Sequence, residues 1–214
     1  MNLHLESLRR DYAERPLDEA ALGDDPLDAL ARWIADASSA GAIEPNAMCL
    51  ATVGASGRPS ARMVLLRGLD AHGLVFYTSY LSRKGRELDT HPHAAATFWW
   101  PEIVRQVRIE GIALRLSDEE SDAYFATRPR GHRLSAWASE QSEPVESRAV
   151  LEARLEHFAE RFAGDEEIPR PHSWGGYRIV PDRIEFWQGR ANRLHDRLLF
   201  ERDGARWHII RLQP

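Results

Sequence analysis

The 214-residue chain predicts a mainly β protein with helices, an antiparallel β-barrel with helices packed on its outside. Three observations predict it. Hydrophobic residues make up 43% of the sequence, enough to bury the core of one domain. After Gly41 the hydrophobic period changes from helical to two, and short alternating segments follow one another. Those segments are joined by turns such as "GASGRP" and "DAHG", whereas parallel units would need a helix-length crossover each time.

Residues 1–25 read as an arm with little core of its own: "LESLRRDY" makes a short amphipathic turn or two, and "ERPLDEAALGDDP" is an acidic, Pro-containing connector. Residues 26–214 read as a single barrel domain. Its first element is a helix in "DPLDALARWIADASSAG". Asp25 can cap it, Pro26 suits the first turn, Leu27, Leu30, Trp33 and Ile34 form an apolar stripe, and Gly41 stops it. "AMCLATV", "SARMVLLRGL" and "GLVFYTS" read as strands. A phosphate loop in "GASGRP" would require a following Lys-Ser/Thr, which is absent. "SRKGRELDTHP" reads as a short helix capped by Ser82 and ended by Pro92. "AAATFWW", "RQVRIEGIALRL", "GGYRIV", "RIEFWQG", "LHDRLLFER" and "ARWHIIRL" supply further strands. "SDEESDAYFATRP" opens with a capping box, Ser117 with Glu120, and "SRAVLEARLEHFAERFAG" carries heptad-like apolar residues at Val150, Leu151, Leu155, Phe158 and Phe162.

The formal net charge of −5, with basic residues interleaved among acidic ones, argues against a nucleic-acid partner. Cys49 is the only cysteine, so an intramolecular disulfide is impossible and a buried thiol in a reducing compartment is expected. No apolar run approaches the ~18 residues of a membrane span, so a soluble, cytoplasmic protein without a membrane partner is expected. The "HPH" at 91–93 has no partner at metal-ligand spacing, no metal is expected, and no Gly-x-Ser-x-Gly elbow marks a serine hydrolase.

Cationic clusters point to local anion sites. In "SRKGRE", Arg83 and Lys84 fall in a first helical turn, where the macrodipole disfavours cations unless a bound anion reverses the sign. In "RMVLLR", the five-residue spacing of Arg62 and Arg67 places them on opposite faces of a regular strand. In "WQGRANRLHDR", a strand through the second half would project Arg193, His195 and Arg197 together at steps of roughly 6.6 Å. A solvated face opposite carboxylates is the plainer reading of any one of these arginines; an anionic, planar ligand explains the row.

In this order, "RMVLLR", "VFYTS", "SRKG", "RQVRIEG", "YFATRPR", "WASEQS", "SWGGYRI" and "EFWQGRANRLHDR" make the chain resemble the pyridoxine/pyridoxamine 5′-phosphate oxidase family from "LRRDY" to the terminal "RLQP". The resemblance implies an antiparallel split β-barrel that binds FMN, in a homodimer whose two FMN sites lie at the subunit interface. It implies FMN contacts from Arg62, Met63, Val64, Leu65 and Leu66, from Tyr77 and Thr78, and from Arg83 and Lys84. Gln106, Gln141, Ser142, Trp187 and Arg197 complete the cofactor set, and Arg67 would serve both cofactor and substrate. Substrate contacts would come from Tyr124, Arg128, His132, Arg193, Leu194 and His195, with Arg9 and Tyr12 closing as a lid. Arg193 and His195 would be the catalytic pair.

The implied reaction is oxidation of pyridoxine or pyridoxamine 5′-phosphate at C4′ to pyridoxal 5′-phosphate, with hydride passing to flavin N5 and molecular oxygen leaving as hydrogen peroxide. Two positions depart from the family pattern, Arg67 in place of a usual Lys and His132 in place of a usual small hydroxyl residue. Two other readings stay open: a related flavin oxidase such as the phenazine-biosynthesis type, and a flavin-binding module without turnover.

Overall fold

The computed structural model describes Tyr12, residues 16–164 and residues 167–214. Helices α1 (Glu19–Leu22) and α2 (Pro26–Ser39) precede strands β1 (Ala47–Val53), β2 (Pro59–Leu65), β3 (Gly68–Asp70) and β4 (Gly73–Ser79). Helix α3 (Arg83–Thr90) leads to β5 (His93–Trp100) and β6 (Arg105–Arg115), followed by α4 (Asp118–Thr127), α5 (Arg130–Ala138) and α6 (Arg148–Arg161). Strand β7 (Trp174–Gln188), a 3₁₀ turn at Ala191–Arg193, β8 (Asp196–Asp203) and β9 (Arg206–Arg211) complete the chain. The strands hydrogen-bond in the order β2-β1-β5-β6-β7-β4-β3, with β8 on β7 and β9 on β8. The pairs β3–β4, β4–β7, β7–β8 and β8–β9 are antiparallel. No described helix is long and apolar enough to cross a membrane.

The chain forms two compact units. The first takes Met1–Cys49, Ala95–Glu110 and Pro181–Pro214. Its helix α2 starts as expected, the Asp25 carboxylate accepting from the Leu27 and Asp28 amides at 2.8 and 3.4 Å, with Pro26 in the first turn. Buried Leu27, Leu30 and Trp33 form its inner stripe, and Trp33 meets Phe186 edge-on at 5.0 Å. Leu17 and Leu22 are also buried, so the connector contributes to this core.

The second unit takes Leu50–Ala94 and Gly111–Val180. Its core stacks Phe76 on Tyr177 at 5.6 Å, with Tyr80 edge-on to Tyr177. A satellite cluster of Leu134, Phe162 and Ile168 gathers Trp137 and Phe158. The apolar residues of α6 serve it through Phe158 and Ala159, with Phe162 just beyond the helix, and Leu151 and Leu155 stay exposed.

Four expectations change. Residues 130–138 form α5, a helix hidden by Gly131 and by the Pro129 that precedes it. "GGYRIV" and "RIEFWQG" are one strand, β7: residues 174–179 pair with β4 and 183–188 with β8, so Pro181 falls between the two registers and interrupts neither. Cys49 is half-buried, on the outer side of β1's alternation. The chain leaves the sheet after Gln188 and re-enters at Asp196, so Arg193, His195 and Arg197 do not share a strand face.

Gly85 decides where α3 sits. A Cβ there would lie 2.1 Å from the Tyr80 carbonyl oxygen and 2.8 Å from that of Ser79, both backbone atoms that cannot swing aside. Gly85→Ala should therefore destabilise the protein by at least about 1–3 kcal/mol, read as a lower urea midpoint. An unchanged midpoint would show that α3 can move away from β4.

Candidate functional site

A cavity of about 780 Å³ lies in the second unit. Met63, Val64 and Leu65 of β2, the following Arg67, and Tyr77 and Thr78 of β4 line it, with Lys84 from α3. Tyr124, Arg128, His132, Gln141 and Trp174 line the rest of its wall. Ser82 caps α3 by accepting from the Gly85 amide at 3.3 Å, which places Lys84 in the first turn with its side chain in the cavity.

Lys84 is 7% exposed. Its ammonium donates to Thr78 Oγ1 at 3.1 Å and Ser82 Oγ at 3.5 Å, and it makes no ion pair among the described residues. Thr78 in turn donates a hydrogen bond to Gln141 Oε1 at 2.9 Å. Burial pushes the Lys84 ammonium down to about 8; the Arg62 charge adds to the shift and Glu87 opposes it. A buried cation held only by hydroxyls is unanswered, and an anion in the cavity would answer it.

The opposite chemistry is aromatic. Tyr77 stacks on Tyr124 at 3.7 Å and on Trp174 at 5.5 Å, and the Arg128 guanidinium lies 4.5 Å over the Trp174 ring. Gly176 permits this, since a Cβ there would reach 2.8 Å from Tyr77 Cε1. Arg170, nearly buried, holds the start of β7 to α4 through Asp118 and Asp122 at 2.6 Å each, and donates to the Trp174 carbonyl. Arg128 Nη1 is buried without a hydrogen-bond partner. Burial, and then the Arg67 charge, lower its pKa. An orphaned guanidinium N–H costs free energy unless a ligand accepts from it.

Seven residues expected at the cofactor do not line this cavity, four of them in the second unit. Leu66 is core, and Ser142 is exposed beside Gln141 with φ 78°. Arg62 and Arg83 converge on Glu87 instead. Glu87 Oε2 accepts from Thr52 at 2.5 Å, Ser60 at 2.6 Å and Arg62 at 3.3 Å, and Oε1 accepts from Arg83 at 2.9 Å. Arg62 also donates to Thr52 Oγ1, Ser60 Oγ and the Leu50 carbonyl. Glu87 and Trp174 are the site residues that sequence reasoning missed. The i,i+4 spacing of Arg83 and Glu87 was a signal for the first; "SWGG" gave only a weak one for the second.

The remaining candidates lie in the first unit, apart from Arg9, which falls outside the described residues. Trp187 faces His195 at 4.7 Å, with Tyr12 6.4 Å from Trp187 and 6.0 Å from His195. Arg197 binds Glu185 through two bonds, 2.8 and 3.1 Å, and donates to the Gln213 carbonyl at 2.9 Å. Arg108 reaches the same carboxylate at 3.3 Å. Gln106 is half-buried on β6, and Arg193 and Leu194 are exposed in the loop. His195 has its pKa lowered by burial and by the Arg193 charge.

Residues 34–162 match the family model described as pyridoxamine 5′-phosphate oxidase, and residues 174–214 match that of the pyridoxine 5′-phosphate oxidase C-terminal dimerisation region. The pyridoxine/pyridoxamine 5′-phosphate oxidase of Rubrobacter xylanophilus is 58% identical over 210 residues, 98% of this chain and 96% of that one. Its namesake from Thermosynechococcus vestitus is 55% identical over 97% of each. Among solved structures, PhzG from Burkholderia lata, in complex with tetrahydrophenazine-1-carboxylic acid, superposes with a TM-score of 0.87 at 34% identity, covering 95% of this chain and all of that one.

Burial opposes the charge of Glu87, but hydrogen bonds from Ser60, Thr52 and Arg83 outweigh it and hold the carboxyl at about 2, against 4.5 ordinarily. A depressed carboxyl contributes stability that is fully present above its unfolded value and is lost as pH falls through its folded one. The shift corresponds to about 3 kcal/mol, lost between about pH 4.5 and 2. Glu87→Gln should be less stable than the parent by urea unfolding near neutrality, and the gap should close across that window. A gap that stays constant would assign the loss to packing alone.

Proposed function

The chain belongs to the pyridoxine/pyridoxamine 5′-phosphate oxidase family, and on that premise we propose that it oxidises pyridoxine and pyridoxamine 5′-phosphates to pyridoxal 5′-phosphate with FMN and molecular oxygen. The alcohol and oxygen give aldehyde and hydrogen peroxide; the amine consumes a water as well and releases ammonia. The supporting observation is a single cavity carrying two cationic groups that no described carboxylate neutralises, Lys84 and the orphaned Arg128. Two phosphates, one on cofactor and one on substrate, fit them. FMN, when bound, supplies the two-electron acceptor.

In this reading Lys84, Thr78 and Gln141 hold the FMN phosphate, while Met63, Val64 and Leu65 border the flavin and Gln106, Trp187 and Arg197 contact it. Arg62 and Arg83 contribute through the shared Glu87. Arg197 retains two N–H groups beyond those given to Glu185 and Gln213. Arg67, Tyr124, Arg128 and His132 take the substrate phosphate. Arg67 presents a planar fork where a Lys would present a point charge, and His132 replaces a hydroxyl with a ring nitrogen. Arg193 and His195 orient the reacting carbon under Tyr12, so that the electron transfer starts from a fixed geometry. The match of residues 174–214 to a dimerisation region supports a homodimer whose protomers share the FMN sites.

The phenazine-type reading draws on the Burkholderia lata neighbour, but at 34% identity against 58% for the oxidase relative it is the weaker one. Purified protein given pyridoxine 5′-phosphate and oxygen should form the aldehyde and peroxide in equal amounts. FMN-loaded protein that turns over neither phosphorylated vitamer would end this reading.

Lys84→Ala should lose on the order of 1.5–3 kcal/mol of FMN affinity while riboflavin affinity holds, both followed by quenching of flavin fluorescence. Equal losses would remove Lys84 from the phosphate. The ammonium titrates at about 8 in the free cavity, and a phosphate dianion raises that value. FMN binding should therefore take up a proton above about pH 8, and FMN affinity should fall there with rising pH while riboflavin affinity does not.

A further inference from the structure

We infer that His195 meets the substrate as a hydrogen-bond donor through Nε2–H, rather than as the acceptor of its proton, because the backbone amide of Arg190 occupies Nδ1. The inference rests on the assignment of His195 to the substrate in the preceding section.

The Arg190 amide nitrogen lies 3.0 Å from His195 Nδ1. A peptide N–H can only donate, so Nδ1 must offer its lone pair. A neutral ring then carries its one proton on Nε2. An imidazolium would set two N–H groups against each other at that distance, and the Nδ1–H tautomer would do the same. Burial and the adjacent Arg193 charge act in the same sense, favouring the uncharged ring.

The loop is built to hold this contact. The Gly189 amide is fixed by the Val104 carbonyl at 3.0 Å, and a side chain at 189 would strike Val104 and Tyr12. Asn192 and Arg193 then both adopt left-handed backbone, φ 55° and 60°, a conformation costly for residues with a Cβ. Those two residues turn the chain back, so that the side chain of residue 195 faces the amide of residue 190. Asp196 pins the return: it accepts from the Leu17 amide at 3.0 Å, pairs with Arg211 at 2.9 Å and faces Arg190 Nε at 3.5 Å. Trp187 and Tyr12 pack tilted against the ring at 4.7 and 6.0 Å between centroids, and among the described residues only Nδ1 has a hydrogen-bond partner, so Nε2 is the nitrogen left to address a ligand.

The consequence is chemical. An Nε2 that already carries hydrogen has no lone pair for a substrate proton. It can donate to an oxygen of the substrate and so hold the reacting carbon in place. Arg190 thereby acts as a positioning residue through its main chain, while its side chain faces Asp196.

The test reads the tautomer directly. FMN-loaded protein labelled with ¹⁵N-histidine, wild type and His195→Gln to assign the signal, is examined by two-bond ¹H–¹⁵N correlation at neutral to mildly alkaline pH, alone and with pyridoxal 5′-phosphate. A bare Nδ1 and a protonated Nε2 are expected in both states. A proton on Nδ1, or a doubly protonated ring with pyridoxal 5′-phosphate bound, would overturn the inference. A second measurement compares variants: the amide N–H of Gln reaches the position of Nε2–H, and that of Asn does not. His195→Asn should lose on the order of 10²-fold in kcat/KM for pyridoxine 5′-phosphate, and His195→Gln at least about tenfold less, with FMN affinity equal in both. Equal losses in the two variants would overturn the donor role. Absence of turnover in the wild-type protein would instead remove the proposed reaction, and the tautomer measurement would still decide the state of His195.

Discussion

Lys84 is the constraint around which the second unit is organised. Its ammonium is desolvated on a first helical turn, where the helix dipole disfavours it, and only hydroxyls receive its hydrogen bonds. Such a group survives folding because its neighbours are fixed: Gly85 lets α3 press against the Tyr80 backbone, Ser82 caps the helix, and Glu87 ties it to β1 and β2 through Thr52, Ser60 and Arg62. Glu87 also limits the local excess of positive charge. With Arg62, Arg83 and Lys84 close together, a neutral residue at 87 would leave three cations in mutual repulsion. The carboxylate answers two of them and leaves the third, the buried one, for the cavity.

The elements legible in the sequence were those whose signals are local. The Asp25–Pro26 start of α2, the Ser82 cap of α3 and the Ser117/Glu120 capping box of α4 each depend on residues within four positions of one another, and all three form as read. Arg62 and Arg67 do serve different places, one in the Glu87 network and the other in the cavity wall, but Arg67 follows the end of β2, so the strand faces are not what separates them. What escaped was set by distant partners. Helix α5 has a weak local pattern, and Leu134 finds its burial against Phe162 and Ile168. Strand β7 reads as two strands in the sequence, and the ladders to β4 and β8 show that Pro181 falls between their registers.

The candidate site divides in the same way. Residue types and spacing marked Lys84 and His195, and the family resemblance added Arg128, but neither revealed the groups that hold them. Glu87 sits in plain view four residues after Arg83, yet its partners Thr52 and Ser60 come from another hairpin. The cationic row at 193, 195 and 197 was inferred from strand periodicity, and it fails because two left-handed residues interrupt the strand. That failure is informative, since backbone strain at a loop of ordinary L residues has to be held by its surroundings.

The two units therefore prepare their ligand-facing groups by different means. In the second, side chains are set by charge: Glu87 disposes Arg62 and Arg83, Asp118 and Asp122 dispose Arg170, and the aromatic stack with Arg128 follows from where Arg170 holds Trp174. In the first, the decisive partners of the loop are main-chain amides. Gly189 on Val104, Arg190 on His195 and Leu17 on Asp196 each engage a peptide N–H, and the ion pairs of Asp196 with Arg211 and Arg190 stand beside them. A charge-built site titrates and responds to salt. A peptide N–H does neither on its own account, so the contact that orients His195 responds to pH through the imidazole that accepts it, whereas at Lys84 the charged group itself is the donor.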